Sequence, residues 1–219
     1  MRPAAAGVVL GLALAVGTPA VWVLSRPPAA AGAPVEQVLG APAPQPAGPP
    51  AAPSPAPAVA VRDAAPSPAP AVVPPARVAV PARGLDAPVD PVGTAPDGQM
   101  ALPDDVGRAG WYRFGPAPGA PGSAVVAGHV DDAEQGLGAM AALRGVEPGD
   151  EVVVTDAAGA VTRWRVVSRE LLDKQALPVD VLFRRDGPPR LTLVTCGGPF
   201  LPEVGGYRDN VVVVAEPAP

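Results

Sequence analysis

The chain has 219 residues, 34 of them proline and 25 glycine, and carries 16 Lys and Arg against 21 Asp and Glu. A net charge of −5 without a basic cluster excludes the electrostatic footprint of a nucleic-acid binder. A single cysteine, Cys196, excludes an internal disulfide framework, and with a single histidine, His129, there is no zinc ligand set, so no metal or cofactor is expected.

Arg2 precedes an uncharged stretch, residues 7–24, and Arg26 follows it. As a helix, these 18 residues span roughly 27 Å, enough for a bilayer core. Three glycines and Pro19 weaken that helix. The rival is a cleaved secretory signal, with Ala29-Ala30-Ala31 or Ala31-Gly32-Ala33 as the small-residue site. Because the run exceeds the usual apolar length of such signals, residues 1–26 are read as an uncleaved single-pass anchor in the cell membrane. All that follows then lies outside the membrane, where an unpaired thiol needs a reason.

Residues 27–76 hold 16 prolines and only three charges, Glu36, Arg62 and Asp63. Such a stretch lacks the periodicity to bury a core and is expected to be an extended linker, reaching on the order of 150 Å at about 3.1 Å per residue. That leaves residues 77–219 as one globular domain, large enough to stand without disulfides.

The domain reads as mainly β. Arg77-Val78-Ala79-Val80 and Ala87-Pro88-Val89-Asp90-Pro91-Val92 are short strands, followed by a turn at Pro96-Asp97-Gly98-Gln99. Trp111-Tyr112-Arg113-Phe114 is an aromatic cluster suited to packing, and residues 123–127 form a buried strand. Residues 151–155 and 161–167 make a hairpin in which Trp164 and Val166 face one way while Arg163 and Arg165 face the other. Leu137, Met140, Ala141 and Arg144 give one or two helical turns, and residues 179–183 a second short helix. Many short strands with frequent turns point to a closed barrel or a sandwich.

Chemistry concentrates at strand ends. Cys196 closes Leu191-Thr192-Leu193-Val194-Thr195 and precedes Gly197-Gly198; His129 closes Val125-Val126-Ala127-Gly128. If residues 190–195 and 210–214 pair antiparallel, Cys196 and Arg208 become neighbours at one rim, where His129 can join them. An apolar-strand cysteine is by default a small buried hydrophobe. The two glycines, which allow close approach of a substrate backbone, and the strand exit favour chemistry instead. A base activates a thiol as nucleophile, and a guanidinium stabilises a thiolate or an oxyanion. Asp131 and Asp132 either orient the imidazole or are solvated loop acids. Glu170, Asp173 and Asp180 match no calcium-loop spacing.

Ala127-Gly128-His129, then Thr192-Leu193-Val194-Thr195-Cys196, then Arg208 opening the final strand, resemble the sortases in type and order. Trp111-Tyr112, Pro121-Gly122-Ser123 through Val130-Asp131, and Tyr207-Arg208-Asp209-Asn210 are similar to class F, the actinobacterial sortases. The resemblance implies an eight-stranded β-barrel, with Cys196 as nucleophile, His129 as acid/base and Arg208 as substrate and oxyanion stabiliser. It implies cleavage of a Leu-Pro-x-Thr-Gly-like signal on a secreted protein, and transfer of the acyl group to a cell-wall precursor amine. Thr195, Gly197 and Phe200 are the candidate substrate-binding residues. A hydrolytic cysteine peptidase on the same barrel and a non-catalytic wall-associated domain remain as alternatives. An L,D-transpeptidase expects a histidine where Val194-Thr195 stands.

Overall fold

The computed structural model describes residues 28–40 and 72–219. In chain order these form β1 (Ala30–Gly32), α1 (Val35–Gly40), β2 (Pro75–Val80), β3 (Leu85–Val92), β4 (Ala109–Tyr112), β5 (Ser123–Ala127), β6 (Asp131–Asp132) and β7 (Gly136–Leu137). They continue with β8 (Glu151–Asp156), β9 (Val161–Asp173), α2 (Val179–Leu182), β10 (Arg190–Leu201) and β11 (Gly206–Pro217). Strands run in the order β9-β11-β10-β5-β4-β3-β2-β8, and β8 pairs back onto β9, so eight strands close the expected barrel. Most neighbours are antiparallel; β3–β4 and β5–β10 are parallel.

The pairing follows from local chemistry. At the β8–β9 hairpin the Asp156 carboxylate accepts from the backbone N–H of Ala158 and Ala160 at 2.9 and 2.8 Å, and Gly159 takes the positive φ of 85° that the turn requires. Trp164 and Val166 then point inward, as the alternation predicts. A 3-10 turn, Ala139–Gly145, supplies the expected helical segment and sends Met140 and Leu143 into the barrel. The interior cluster gathers residues from around the ring, including Val78, Leu85, Trp111, Val126, Leu193 and Val213.

A second cluster lies outside the barrel wall, where Val35 and Leu39 of α1 and Leu182 of α2 cover Val212 and Val214 of β11. This corrects the expectation of an extended linker from residue 27 to 76 at its first part. β1 pairs antiparallel with β9, Ala31 opposite Arg169, and the Arg169 guanidinium donates to the carbonyls of Val146 and Pro28. The Glu170 carboxylate accepts the first free N–H of α1, from Val35, at 2.8 Å, and Arg184 donates to the Leu39 carbonyl at the other end. Val35 and Leu39, four residues apart, share one helix face, so two apolar side chains suffice to fold a short segment that composition alone reads as solvated. Residues 41–71 of the linker, and the anchor read at residues 1–26, lie outside the described residues. Among the described residues no helix is long and apolar enough to cross a membrane.

The glycine-rich segment 197–206 is mostly strand. β10 continues to Leu201 and β11 begins at Gly206, with an irregularity between Gly197 and Phe200, so the turn itself is only four residues long.

Candidate active site

β5 and β10 run parallel, with Ala127 opposite Val194. One step on, the Gly128 N–H donates to the Val194 carbonyl at 3.1 Å and the Thr195 hydroxyl donates to the Gly128 carbonyl at 2.8 Å. One further step along each chain, past the end of that pairing, stand His129 and Cys196. The parallel pairing of β5 with β10, which the sequence argument did not foresee, is what brings these two strand ends to the same edge. Gly128 is required by packing: a Cβ there would lie 2.7 Å from Met140 Cγ.

Cys196 is half-buried and lines a cavity of about 600 Å³. Its strand partners explain the exposure. Leu191 and Leu193 alternate into the barrel interior, so Val194 and Cys196 face outward, under α2. Val125, Ala127 and Val194 form the cavity floor with Cys196. The walls are Met100 and Leu102 from the β3–β4 connection, Tyr112, and Val179, Leu182 and Phe183 at α2, while Lys174 and Arg185 supply positive charge. Tyr112, part of the aromatic cluster in the sequence, packs edge to face on Phe183 at 5.2 Å between centroids, which fixes this wall.

Of the residues singled out from sequence, Cys196 and Thr195 line this cavity; His129, Arg208, Gly197 and Phe200 do not. Phe200 is exposed and packs edge to face on Tyr207 at 5.4 Å. The glycine pair makes room for the chain's own side chains, not for a substrate backbone. A Cβ on Gly197 would lie 2.8 Å from both Leu171 and Val211, and one on Gly198 would lie 2.1 Å from Asp209 Oδ2.

That carboxylate holds Arg208. Nε and Nη2 of Arg208 donate to the two Asp209 oxygens at 2.7 and 2.8 Å, and this bidentate bond raises the guanidinium pKa further. The Asp209 side chain is 3% exposed, the Arg208 side chain 52%. Opposite Cys196 on β11 stands Asn210, which also lines the cavity. Asp209 and Asn210 carried no assigned role in the sequence; the antiparallel register was the signal that places both.

Among the described hydrogen bonds, Asp131 and Asp132 have partners other than the imidazole, though His129 adds a smaller charge effect on Asp132. Asp131 accepts from the Tyr207 hydroxyl, which keeps that phenol protonated to higher pH. Asp132 accepts from the backbone N–H of Glu134 and Gln135, which hold its carboxyl below the usual range. Glu170 serves α1, and among the described residues no three His, Cys, Asp or Glu side chains gather as a metal site.

A family model described as the Sortase domain matches residues 78–218. Among solved structures, a lid mutant of sortase A from Corynebacterium diphtheriae superposes with a TM-score of 0.51 at 17% identity, over 69% of this chain and 74% of that one. A mutant of sortase C-1 from S. pneumoniae does so with a TM-score of 0.50 at 19% identity, over 66% of each chain. Sortase A from Listeria monocytogenes is 23% identical, with a TM-score of 0.49, over 67% of this chain and 88% of that one. No curated protein matches the sequence.

Proposed function

The chain belongs to the sortase family of cysteine transpeptidases, and from that premise we propose that it acts outside the cell membrane, cleaving a Leu-Pro-x-Thr-Gly-like signal on a secreted protein and passing the acyl group to a cell-wall precursor amine. The observation that carries this reading is Cys196, half-buried and lining an apolar cavity, at the end of a strand that runs parallel to the one His129 follows. A sealed core cysteine has no access to a peptide; this one opens on a space of the size and polarity that an extended apolar peptide needs. The class F assignment rests on the motifs around Trp111-Tyr112, His129 and Tyr207-Arg208-Asp209-Asn210.

In the proposed reaction the Cys196 thiolate attacks the scissile carbonyl carbon. The S–C bond forms as the carbonyl electrons move onto oxygen. Collapse of that intermediate breaks the C–N bond, and His129 gives a proton to the departing amine. An incoming amine then attacks the thioester carbon and gives its proton to His129, and the C–S bond breaks to release the Cys196 thiolate. Arg208, held by Asp209, is the cation for substrate and developing oxyanion.

Residues 7–24 are proposed to anchor the chain. Because β1 already docks on the barrel at Ala30, only a few residues separate that anchor from the domain, about 14 Å fully extended from residue 24 to 28. On this reading the enzyme works close to the membrane surface, not at the end of a long stalk.

The test is to incubate the protein with a sorting peptide, with and without an amine acceptor, and to follow acylated Cys196 and both products by mass spectrometry. Acyl-enzyme in the wild type, its absence in Cys196→Ala and His129→Ala, and product partition toward the amine are expected. No acyl-enzyme in the wild type overturns the reading, and hydrolysis indifferent to every amine makes this a peptidase on the same barrel.

A further inference from the structure

One transverse row of side chains crosses the site. Cys196 on β10 is paired with Asn210 on β11, which is paired in turn with Leu172 on β9, and His129 follows β5, the strand on the other side of β10. Antiparallel partners project to the same face, and Val212 and Val214, in phase with Asn210, lie outward in the cluster beneath α1 and α2. Asn210 therefore faces outward beside Cys196, and both line the cavity. Directly opposed residues stand about 4.5–5.5 Å apart at Cβ, close enough for a carboxamide to reach a group bonded to the neighbouring sulfur.

Arg208 is placed differently. It lies two residues before Asn210 on β11, where the pairing with β10 is irregular, and two of its nitrogens are committed to Asp209. Among the hydrogen bonds of the described residues, none engages the Asn210 carboxamide.

We propose that Asn210 is a further catalytic residue of this site, donating its side-chain N–H to the carbonyl oxygen of the acyl group as that oxygen gains negative charge. The proposal deepens the acyl-transfer reading and rests on it. The thiol would then be flanked by a proton carrier on one side, His129, and a fixed neutral donor on the other. A neutral amide suits an apolar cavity better than a second cation, because it stabilises developing charge without having to shed a charged group's hydration. Its anchoring in the middle of a paired strand supplies the preorganisation on which such a donor depends.

The test uses the full-length protein, a quenched peptide containing Leu-Pro-Ala-Thr-Gly, and iodoacetamide as a probe of Cys196 that needs no peptide. For Asn210→Ala the expected result is a fall in kcat of about 100-fold with KM within roughly threefold of wild type, the loss that follows removal of one oxyanion donor. Alkylation by iodoacetamide should stay within about twofold, because that reaction develops no oxyanion. Asn210→Asp keeps the shape and removes the donor, so it should lose at least as much activity. Near wild-type kcat in Asn210→Ala overturns the proposal, and so does recovery in Asn210→Asp, which would assign the residue to packing. If the wild type is alkylated but never acylated by the peptide, the acyl-transfer reading itself falls and takes this proposal with it. Wild-type acylation matched by Asn210→Ala removes this proposal alone.

Discussion

The two halves of the barrel are built differently. Around β2, β3, β8 and the first part of β9 the outer face is wet: Val78, Leu85, Val152 and Trp164 point inward, while Arg77, Asp86, Glu151 and Arg163 point out and pair across strands. Around β5, β10, β11 and the end of β9 both faces are covered. Val211 and Val213 pack inside, whereas Val212 and Val214 are sealed from outside by α1 and α2. A polar pair there is also internal, the Ser123 and Thr192 hydroxyls bonded at 2.8 Å. The candidate site belongs to the doubly covered half. A nucleophile and its partners must hold fixed positions, and strands packed on both sides hold them better than strands with one face in water.

The largest expected contrast comes from one substitution made in both halves. Val214 faces outward on β11 at 0% exposure, so Val214→Asp buries an unpaired carboxylate and should cost on the order of 3–5 kcal/mol. Val153 faces outward on β8 and is only partly buried, beside Arg163 in the register, so Val153→Asp should stay within about 1 kcal/mol of wild type. Chemical denaturation of both variants measures the difference. Equal losses would erase the distinction between the halves.

A smaller effect tests the outer cover itself. Leu39→Ala removes an apolar contact between α1 and α2 and should cost about 2 kcal/mol, roughly 4–8 °C in Tm. Because Leu182 of α2 also lines the cavity, KM for a sorting peptide should rise as well. Removing residues 1–76 should reproduce both effects, whereas removing residues 1–27 should produce neither. A truncated domain from residue 77 that matches the longer one in Tm and KM would show that α1 is dispensable.

What the sequence disclosed follows the same division. In the wet half the alternation of Arg163, Trp164, Arg165 and Val166 states the inward face outright, and the hairpin around Gly159 is legible from its turn residues. In the covered half, runs such as Val211-Val212-Val213-Val214 carry no phase, because each face is buried. Cys196 and His129 still stand out, since both lie where an apolar run stops. Asn210 does not, because what distinguishes it is its cross-strand partner Cys196 and not a motif. Val35 and Leu39 were hidden by the prolines and alanines around them. Gly197-Gly198 was read as an opening for substrate, because nothing local reveals that Asp209, eleven positions past Gly198, fills that space.

The smallest effect belongs to the wet half. Arg108 donates to Asp90 through Nε at 2.6 Å and through Nη2, and this hydrogen bond holds the Asp90 carboxyl below its ordinary value. A carboxyl with a depressed folded-state pKa adds stability that is fully present above its unfolded value, about 3.9, and is lost as the pH falls through the folded value. Both side chains are more than a third exposed, so solvent screens the pair and its contribution at neutral pH should be no more than about 0.5 kcal/mol. Arg108→Gln should therefore be slightly less stable than wild type at pH 7, with the gap narrowing in 1 M salt. The gap should close as the pH falls below about 3.9 and through the lower folded value, where acid protonates Asp90 and removes the pairing from the wild type as well. A deficit that persists undiminished in acid would instead trace the loss to the packing of the Arg108 stem, and this edge of the barrel would then resemble the covered half more than its ion pairs suggest.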